Sequence, residues 1–285
     1  MTTQHITFAA DDGEPLHGFV TGNGSPLLLL HGWTSSHAAW SPLLAELAQH
    51  HRVIRPDARG HGGRSVSVNP APDMPRLARD VLNWLDHLGL ERASIIGHSM
   101  GALTLWQFIR DFGTTRLRQL CVLDQSPKLM TDATWPHGIY GDFDAARSDA
   151  FVEELRQDFS EGVLRLAAYG LNAKARESYE RNSKGWQRLR DVLRDWPAAP
   201  LIAIWQSLVA ADWRDVLPRI DRPTLLVYGQ ESNFYTEALA HYVAQHTPRS
   251  TLVFYEGADH SPHLMQPQRF VQDWLAFTQA QIVKK

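Results

Sequence analysis

The chain has 285 residues, of which 44% are hydrophobic and 21% charged, and its formal net charge is −3 at pH 7. This balance, with acids and bases interspersed and no long apolar run, excludes both the basic stripe of a nucleic-acid-binding protein and a membrane-spanning helix. Cys121 is the only cysteine, which excludes an internal disulfide and argues against a cysteine-based metal site.

Short apolar segments alternate with helical patterns in the first part of the chain. The predicted strands lie at 4–10, 15–20, 26–30, 52–56, 92–97 and 118–123, and the predicted helices at about 38–50, 75–88 and 100–111. The apolar run at 26–30 is unbroken, which suits a strand buried on both faces. This alternation predicts an α/β fold in which a mostly parallel, eight-stranded sheet carries helices on both faces.

The alternation stops near residue 126 and resumes near residue 215. Between these points the patterns indicate helices, at 147–160, 162–170, 174–195 and 199–210. Strands at 223–228 and 250–255 and helices at about 236–246 and 267–281 complete the chain. We therefore predict a core domain formed by residues 1–126 and 215–285, interrupted by a helical cap at 127–214, here called the predicted cap.

The pentapeptide Gly97-His98-Ser99-Met100-Gly101 follows a predicted strand and precedes a predicted helix. In this context the pattern G-x-S-x-G is typical of a nucleophilic serine on a tight turn. Side chains two residues before or after Ser99 would collide with neighbouring backbone, and glycine avoids the collision. The start of the following helix places free N–H groups beside the developing negative charge.

Four motifs give the chain a resemblance to a known family. They are His31-Gly32-Trp33, the segment 57–62 (Asp-Ala-Arg-Gly-His-Gly), the segment 97–101 and Gly257-Ala258-Asp259-His260. Together they resemble the α/β-hydrolases of the esterase, non-haem haloperoxidase and carbon–carbon hydrolase group. The resemblance covers almost the whole chain outside the predicted cap, and it implies that segment 57–62 is a structural brace.

The resemblance also assigns the base and the oxyanion hole. A serine needs an adjacent base to act as a nucleophile near neutral pH. The family order places that base after the last strand, which favours His260 over His263. The oxyanion hole is then formed by the backbone N–H groups of Trp33 and Met100, as implied by the fold. The side chain of His31 is expected to bond within its own loop.

The third member of the triad departs from the family pattern. The acid usually stands three residues after the glycine that ends the penultimate strand, but here Ser232 follows Gly229 at that distance. Asp124, at the end of the strand at 118–123, is our preferred acid, and Glu231 is the alternative. Some relatives, including haloalkane dehalogenases, take their acid from the strand that Asp124 ends.

These residues predict a serine hydrolase that cleaves a carboxylic ester or lactone of a small, largely apolar substrate without a cofactor or metal. His31, His98, Trp135 and Trp205 are candidates for lining its pocket, although most cap aromatics are expected to pack within the cap. Alternatives are a carbon–carbon bond hydrolase or a perhydrolase with the same triad, and, in another class, a non-catalytic small-ligand receptor. We expect a cytoplasmic protein that binds neither nucleic acid nor membrane; its oligomeric state stays open.

Overall fold

The computed structural model describes residues 2–67 and 71–283, whose strands form one eight-stranded sheet. The strands are β1 (Thr3–Ala9), β2 (Pro15–Thr21), β3 (Ser25–Leu30), β4 (His51–Asp57), β5 (Ala93–His98), β6 (Leu117–Leu123), β7 (Thr224–Gly229) and β8 (Ser250–Tyr255). Their order is β1-β2-β4-β3-β5-β6-β7-β8. Pairs β1–β2 and β2–β4 are antiparallel and the others are parallel, so the fold class predicted from the sequence is confirmed.

The helices of the described residues lie between these strands and at the end of the chain. They are α1 (Ser41–His50), α2 (Met74–His87), α3 (Met100–Phe112), α4 (Ala145–Gln157), α5 (Phe159–Ala168), α6 (Ala173–Glu180), α7 (Lys184–Arg194), α8 (Ala198–Ala210), α9 (Glu237–His246), α10 (Pro262–Met265) and α11 (Pro267–Val283). Short 3₁₀ helices add His37–Trp40, Ile139–Gly141 and Leu217–Arg219. Within the described ranges no helix is both long and apolar enough to cross a membrane.

Alternate residues of the buried strands enter two different cores, as the two-residue period of a strand requires. In β3, Leu27 and Leu29 belong to the core that also contains side chains of α1 and α11, whereas Leu28 and Leu30 belong to the core that contains side chains of α2 and α3. All four leucines are buried. An unbroken apolar run therefore serves both faces of the sheet, which is why the segment lacks the alternation of a half-exposed strand.

Two of the helix boundaries predicted for the cap region are wrong. The predicted helix at 174–195 is two helices, α6 and α7, because Asn182 adopts a φ of +49°, which a continuing helix cannot contain. The break predicted near residue 161 lies instead at Asp158, which ends α4 and begins α5. The Asp158 side chain accepts the N–H of Glu161, so it caps the new helix rather than extending the old one.

The predicted cap contains α4 to α8, and its two ends meet at the sheet. Lys128 and Asp212 form an isolated antiparallel bridge, and the N–H of Trp213 donates to the carbonyl of Pro127 at 2.8 Å. These contacts support the boundaries 127 and 214, which stay a prediction. The outer limits of the predicted core domain, residues 1 and 285, lie outside the described residues.

Six strands are parallel, and β3, β5, β6, β7 and β8 are the five of them whose following loops form the site at the carboxyl edge of the sheet. The loops and turns that follow them carry Trp33, Ser99, Asp124, Ser232 and His260 respectively. In open α/β sheets, ligand sites form outside the carboxyl ends of the strands. The topology thus brings together residues that are more than 200 positions apart in sequence.

Candidate active site

Ser99 lies on a strained turn between β5 and α3. Its φ and ψ are +52° and −120°, a conformation that a residue with a side chain rarely adopts. A Cβ at Gly97 would lie 2.5 Å from the carbonyl oxygen of Gly101, and one at Gly101 would lie 2.0 Å from that of Leu30. Both distances are far inside van der Waals contact, so only glycine fits at the two positions that the motif predicts.

The loop after β3 runs directly beside this turn. A Cβ at Gly32 would lie 3.2 Å from the Nδ1 of His98 and 3.3 Å from the Cβ of Ser99, so a side chain at this position would be crowded and glycine lets the backbone pass close to the serine. Trp33, the next residue, lines the same cavity as Ser99 and Met100. Met100 is the first residue of α3, where backbone N–H groups have no acceptor within the helix. The two predicted oxyanion donors therefore flank the serine from different segments.

His31 fixes the position of this loop. Its Nε2 accepts the N–H of Ala58 at 3.0 Å, so its Nδ1 carries the proton and donates to the carbonyl of Gly32 at 2.8 Å. Burial lowers the pKa of His31, which is consistent with this neutral form. One of its two hydrogen bonds lies within its own loop, as expected, and the other joins that loop to Ala58 after β4. His31 does not line the cavity, so the prediction that it is a pocket residue is wrong.

His260 lies against the carboxylate of Asp124. The Nδ1 of His260 and the Oδ2 of Asp124 are 2.7 Å apart, and Asp124 is fully buried. The same Oδ2 accepts the hydroxyl of Ser232 at 2.6 Å, and Oδ1 accepts the N–H of Gly229 at 3.0 Å. Each carboxylate oxygen thus has hydrogen-bond donors, which offsets the cost of burying the charge.

The other two carboxylates near His260 point elsewhere. Glu231 pairs with the ammonium group of Lys174 at 2.6 and 2.8 Å, on the partly exposed surface next to α6. Asp259 accepts the N–H of Ser261 at 2.7 Å, which closes the turn before α10. Of the candidate acids, Asp124 is the one that the structure brings to His260.

A cavity of about 280 Å³ opens at Ser99 and His260, between the sheet edge and the predicted cap. Its wall is largely apolar and comes from both parts of the chain, including Trp33, Leu129, Ile139, Leu166, Trp205 and Phe234. No Asp, Glu, Lys or Arg is among the described residues that line it. A cavity of this size and polarity suits a small, uncharged organic group.

The aromatic side chains predicted to line the pocket have different positions. Trp205 lines it and packs on Trp33, with the ring centroids 4.8 Å apart, and the indole N–H of Trp33 donates to the carbonyl of Leu201 in α8. Trp135 does not line the cavity, so the prediction that it is a pocket residue is wrong. Trp135 is buried against Tyr242, because its indole N–H donates to the carbonyl of Lys128 where the predicted cap begins.

His98 lines the cavity as predicted, and it also binds the backbone of His260. Its Nε2 donates to the backbone carbonyl of His260 at 2.9 Å. Burial and the neighbouring His263 and His260 lower the pKa of His98 well below its usual value. It is therefore a neutral donor that fixes the backbone of the His260 turn.

Two further histidines are buried in neutral form and make stability depend on pH. Burial lowers the pKa values of His61 and His263 to about 3. The unfolded chain takes up a proton on each below about pH 6.5, whereas the folded chain does not until about pH 3. The contribution of these two neutral histidines to the free energy of unfolding is therefore fully present above pH 6.5 and decreases as the pH falls below that value. Between pH 7 and pH 5 we expect each histidine to lower the free energy of unfolding by about 2 kcal/mol.

Urea unfolding at the two pH values measures this effect. His263→Leu is the matched variant, because neither ring nitrogen of His263 has a hydrogen-bond partner in the described chain. The variant should lose about 2 kcal/mol less than the wild type between pH 7 and pH 5. An equal pH dependence in both proteins would contradict the prediction.

Three residues around the site were not assigned a role from the sequence. Ser232 donates to Asp124, Asn233 accepts the N–H of His260 through its Oδ1 at 3.2 Å, and Gln125 lines the cavity. Their position in the sequence could have predicted this, because each lies within four residues of the carboxyl end of β6 or β7, where the site forms. Among the described residues no group of three or more His, Cys, Asp or Glu side chains could hold a metal ion.

Comparisons with known proteins agree with the fold. A family model described as the alpha/beta hydrolase fold matches residues 25–267. A pimeloyl-[acyl-carrier protein] methyl ester esterase of Nitrosomonas europaea is 28% identical over 90% of this chain and 96% of its own length. The 3-oxoadipate enol-lactonase 1 of Acinetobacter baylyi is 28% identical over 90% of both chains. The structure of an esterase from Exiguobacterium antarcticum superimposes with a TM-score of 0.82, at 21% identity, over 97% of this chain and 100% of that one.

Proposed function

The chain belongs to the family of proteins with the α/β-hydrolase fold, and from this membership we propose that it is a serine hydrolase acting on carboxylic esters or lactones. Its similarity to an esterase and an enol-lactonase over nine-tenths of its length supports ester cleavage. The observation that carries the proposal is the 2.7 Å contact between His260 Nδ1 and buried Asp124, in a cavity that also contains Ser99. The substrate we propose is small and largely apolar, because no charged side chain is found among the described residues of the cavity wall.

The proposed mechanism assigns one step to each group. Asp124 accepts a hydrogen bond from the Nδ1–H of His260, which leaves Nε2 as the base that takes the Ser99 proton as Oγ attacks the substrate carbonyl. The backbone N–H groups of Trp33 and Met100 donate hydrogen bonds to the oxyanion. Each of them lowers the activation free energy by ~3 kcal/mol. Protonated His260 then gives its proton to the leaving alcohol. A water deprotonated by His260 attacks the acyl-enzyme and releases the acid, restoring Ser99.

Labelling and turnover test the proposal together. We expect the wild-type protein to hydrolyse short p-nitrophenyl esters and to react with a fluorophosphonate probe, with the label found by mass spectrometry on the peptide containing Ser99. Ser99→Ala should lose both signals while keeping its circular dichroism spectrum. Absence of turnover and of labelling in the wild type would favour a non-catalytic small-ligand receptor, and a label on another residue would contradict the mechanism.

A further inference from the structure

Gln125 is a buried polar residue on the cavity wall for which the proposed mechanism has no use. It follows Asp124 at the end of β6 and is 2% exposed. Both of its oxygen atoms already have donors. The backbone carbonyl accepts the hydroxyl of Tyr228 at 2.7 Å, and the side-chain Oε1 accepts the N–H of Ser126 at 2.8 Å and the hydroxyl of Tyr235.

These bonds determine which way the amide of Gln125 faces. A backbone N–H can only donate, so the side-chain atom that meets Ser126 is the oxygen rather than the nitrogen. Burial and the nearby Asp124 raise the pKa of Tyr235 well above its usual value, so its hydroxyl stays protonated and donates to the same oxygen. The NH₂ group of Gln125 consequently takes the opposite side of the amide.

That NH₂ group is the unused part of the residue. Among the described residues its nitrogen, Nε2, donates to no acceptor, while the residue itself lines the cavity that contains Ser99 and His260. Nε2 is not among the fully buried side-chain atoms of the described residues that lack a partner, so this donor is accessible from the cavity. An oxygen atom of a bound substrate can accept from this donor in place of water.

We infer that Gln125 binds a second oxygen of the substrate, in addition to the carbonyl that Ser99 attacks. This inference rests on the proposed function. The oxygen belongs to an uncharged group such as a ketone, because the described cavity wall offers a carboxylate no cation to replace its hydration. The substrate class is thus an ester or lactone that carries a further neutral hydrogen-bond acceptor.

Matched pairs of esters test the inference. The p-nitrophenyl esters of pentanoate and 4-oxopentanoate, and of hexanoate and 5-oxohexanoate, differ within each pair by one ketone oxygen. For each pair, the kcat/KM of the oxo ester is divided by that of the plain ester. This ratio is then divided by the same ratio for non-enzymatic hydrolysis by hydroxide, which removes the difference in intrinsic reactivity. In the wild type we expect this ratio to favour an oxo ester by roughly tenfold, the contribution of about one hydrogen bond.

Gln125→Met keeps the length of the side chain and removes the donor together with the acceptor of Ser126 and Tyr235, so the preference should fall to about one. Leu129→Met alters the same wall without changing a polar group and should retain the preference. An equal ratio in the wild type and Gln125→Met overturns the inference while leaving ester hydrolysis in place. If Gln125→Met does not fold, the wild-type ratios decide, and values near one overturn it. If the wild type hydrolyses none of these esters, the proposed function fails and the inference fails with it.

Discussion

Replacing Asp124 by Asn should lower kcat by about 10⁴-fold, the effect expected when the acid of a serine triad becomes an amide. The Oδ1 of Asp124 accepts the N–H of Gly229, so an amide at this position keeps its oxygen there and turns its NH₂ group towards His260. The imidazole must then accept at Nδ1 and carry its proton on Nε2. In that tautomer it cannot take the proton of Ser99.

The rate of p-nitrophenyl ester hydrolysis under saturating substrate measures this change. Glu231→Gln is the matched control, because Glu231 belongs to a partly exposed ion pair with Lys174 and should change kcat by less than about twofold. Circular dichroism and urea unfolding should show that both variants are folded. A large loss of kcat in Glu231→Gln with little change in Asp124→Asn would reverse the assignment of the acid.

Replacing Arg59 by Met should lower the free energy of unfolding by about 3–5 kcal/mol, because it leaves a buried carboxylate without its main partner. Arg59 is 5% exposed and forms two bonds of 2.6 Å with Asp80, which is 6% exposed. It also contacts Asp12 at 2.8 Å, so one guanidinium ties segment 57–62 both to α2 and to the turn after β1. Arg76 lies 3.0 Å from Asp80 and offsets part of the loss, which places the expected value near the lower limit.

Urea unfolding at pH 7 measures this loss. Arg156→Met removes an arginine of the same kind from an exposed pair with Glu153 and should cost less than about 1 kcal/mol. Equal losses in Arg59→Met and Arg156→Met would show that the buried pair does not brace this segment. The expected result would assign the stretch from Asp57 to Gly62 a role in stability, as the family resemblance implies.

The supporting acid shows why position in sequence was insufficient. Ser232 stands where the family usually has its carboxylate, and its hydroxyl reaches the Oδ2 of Asp124 at 2.6 Å. A carboxylate at 232 in addition to Asp124 would place two negative charges at one buried point, which is strongly unfavourable. Positions 124 and 232 therefore lie next to each other in the structure, and only one of them can carry the carboxylate. The sequence alone does not show that they are neighbours.

The sequence by itself determined what depends on local physics. Apolar runs predict the buried strands, and the two glycines around Ser99 predict a turn that excludes a Cβ, which the distances at Gly97 and Gly101 confirm. Only the tertiary structure decided what depends on which strand ends lie side by side. It placed Asp124 rather than Glu231 at His260, buried Trp135 against Tyr242 and brought Gln125 to the cavity. The reason is that these contacts join residues distant in sequence, and their geometry is set by the packing of the sheet and the predicted cap rather than by any local pattern.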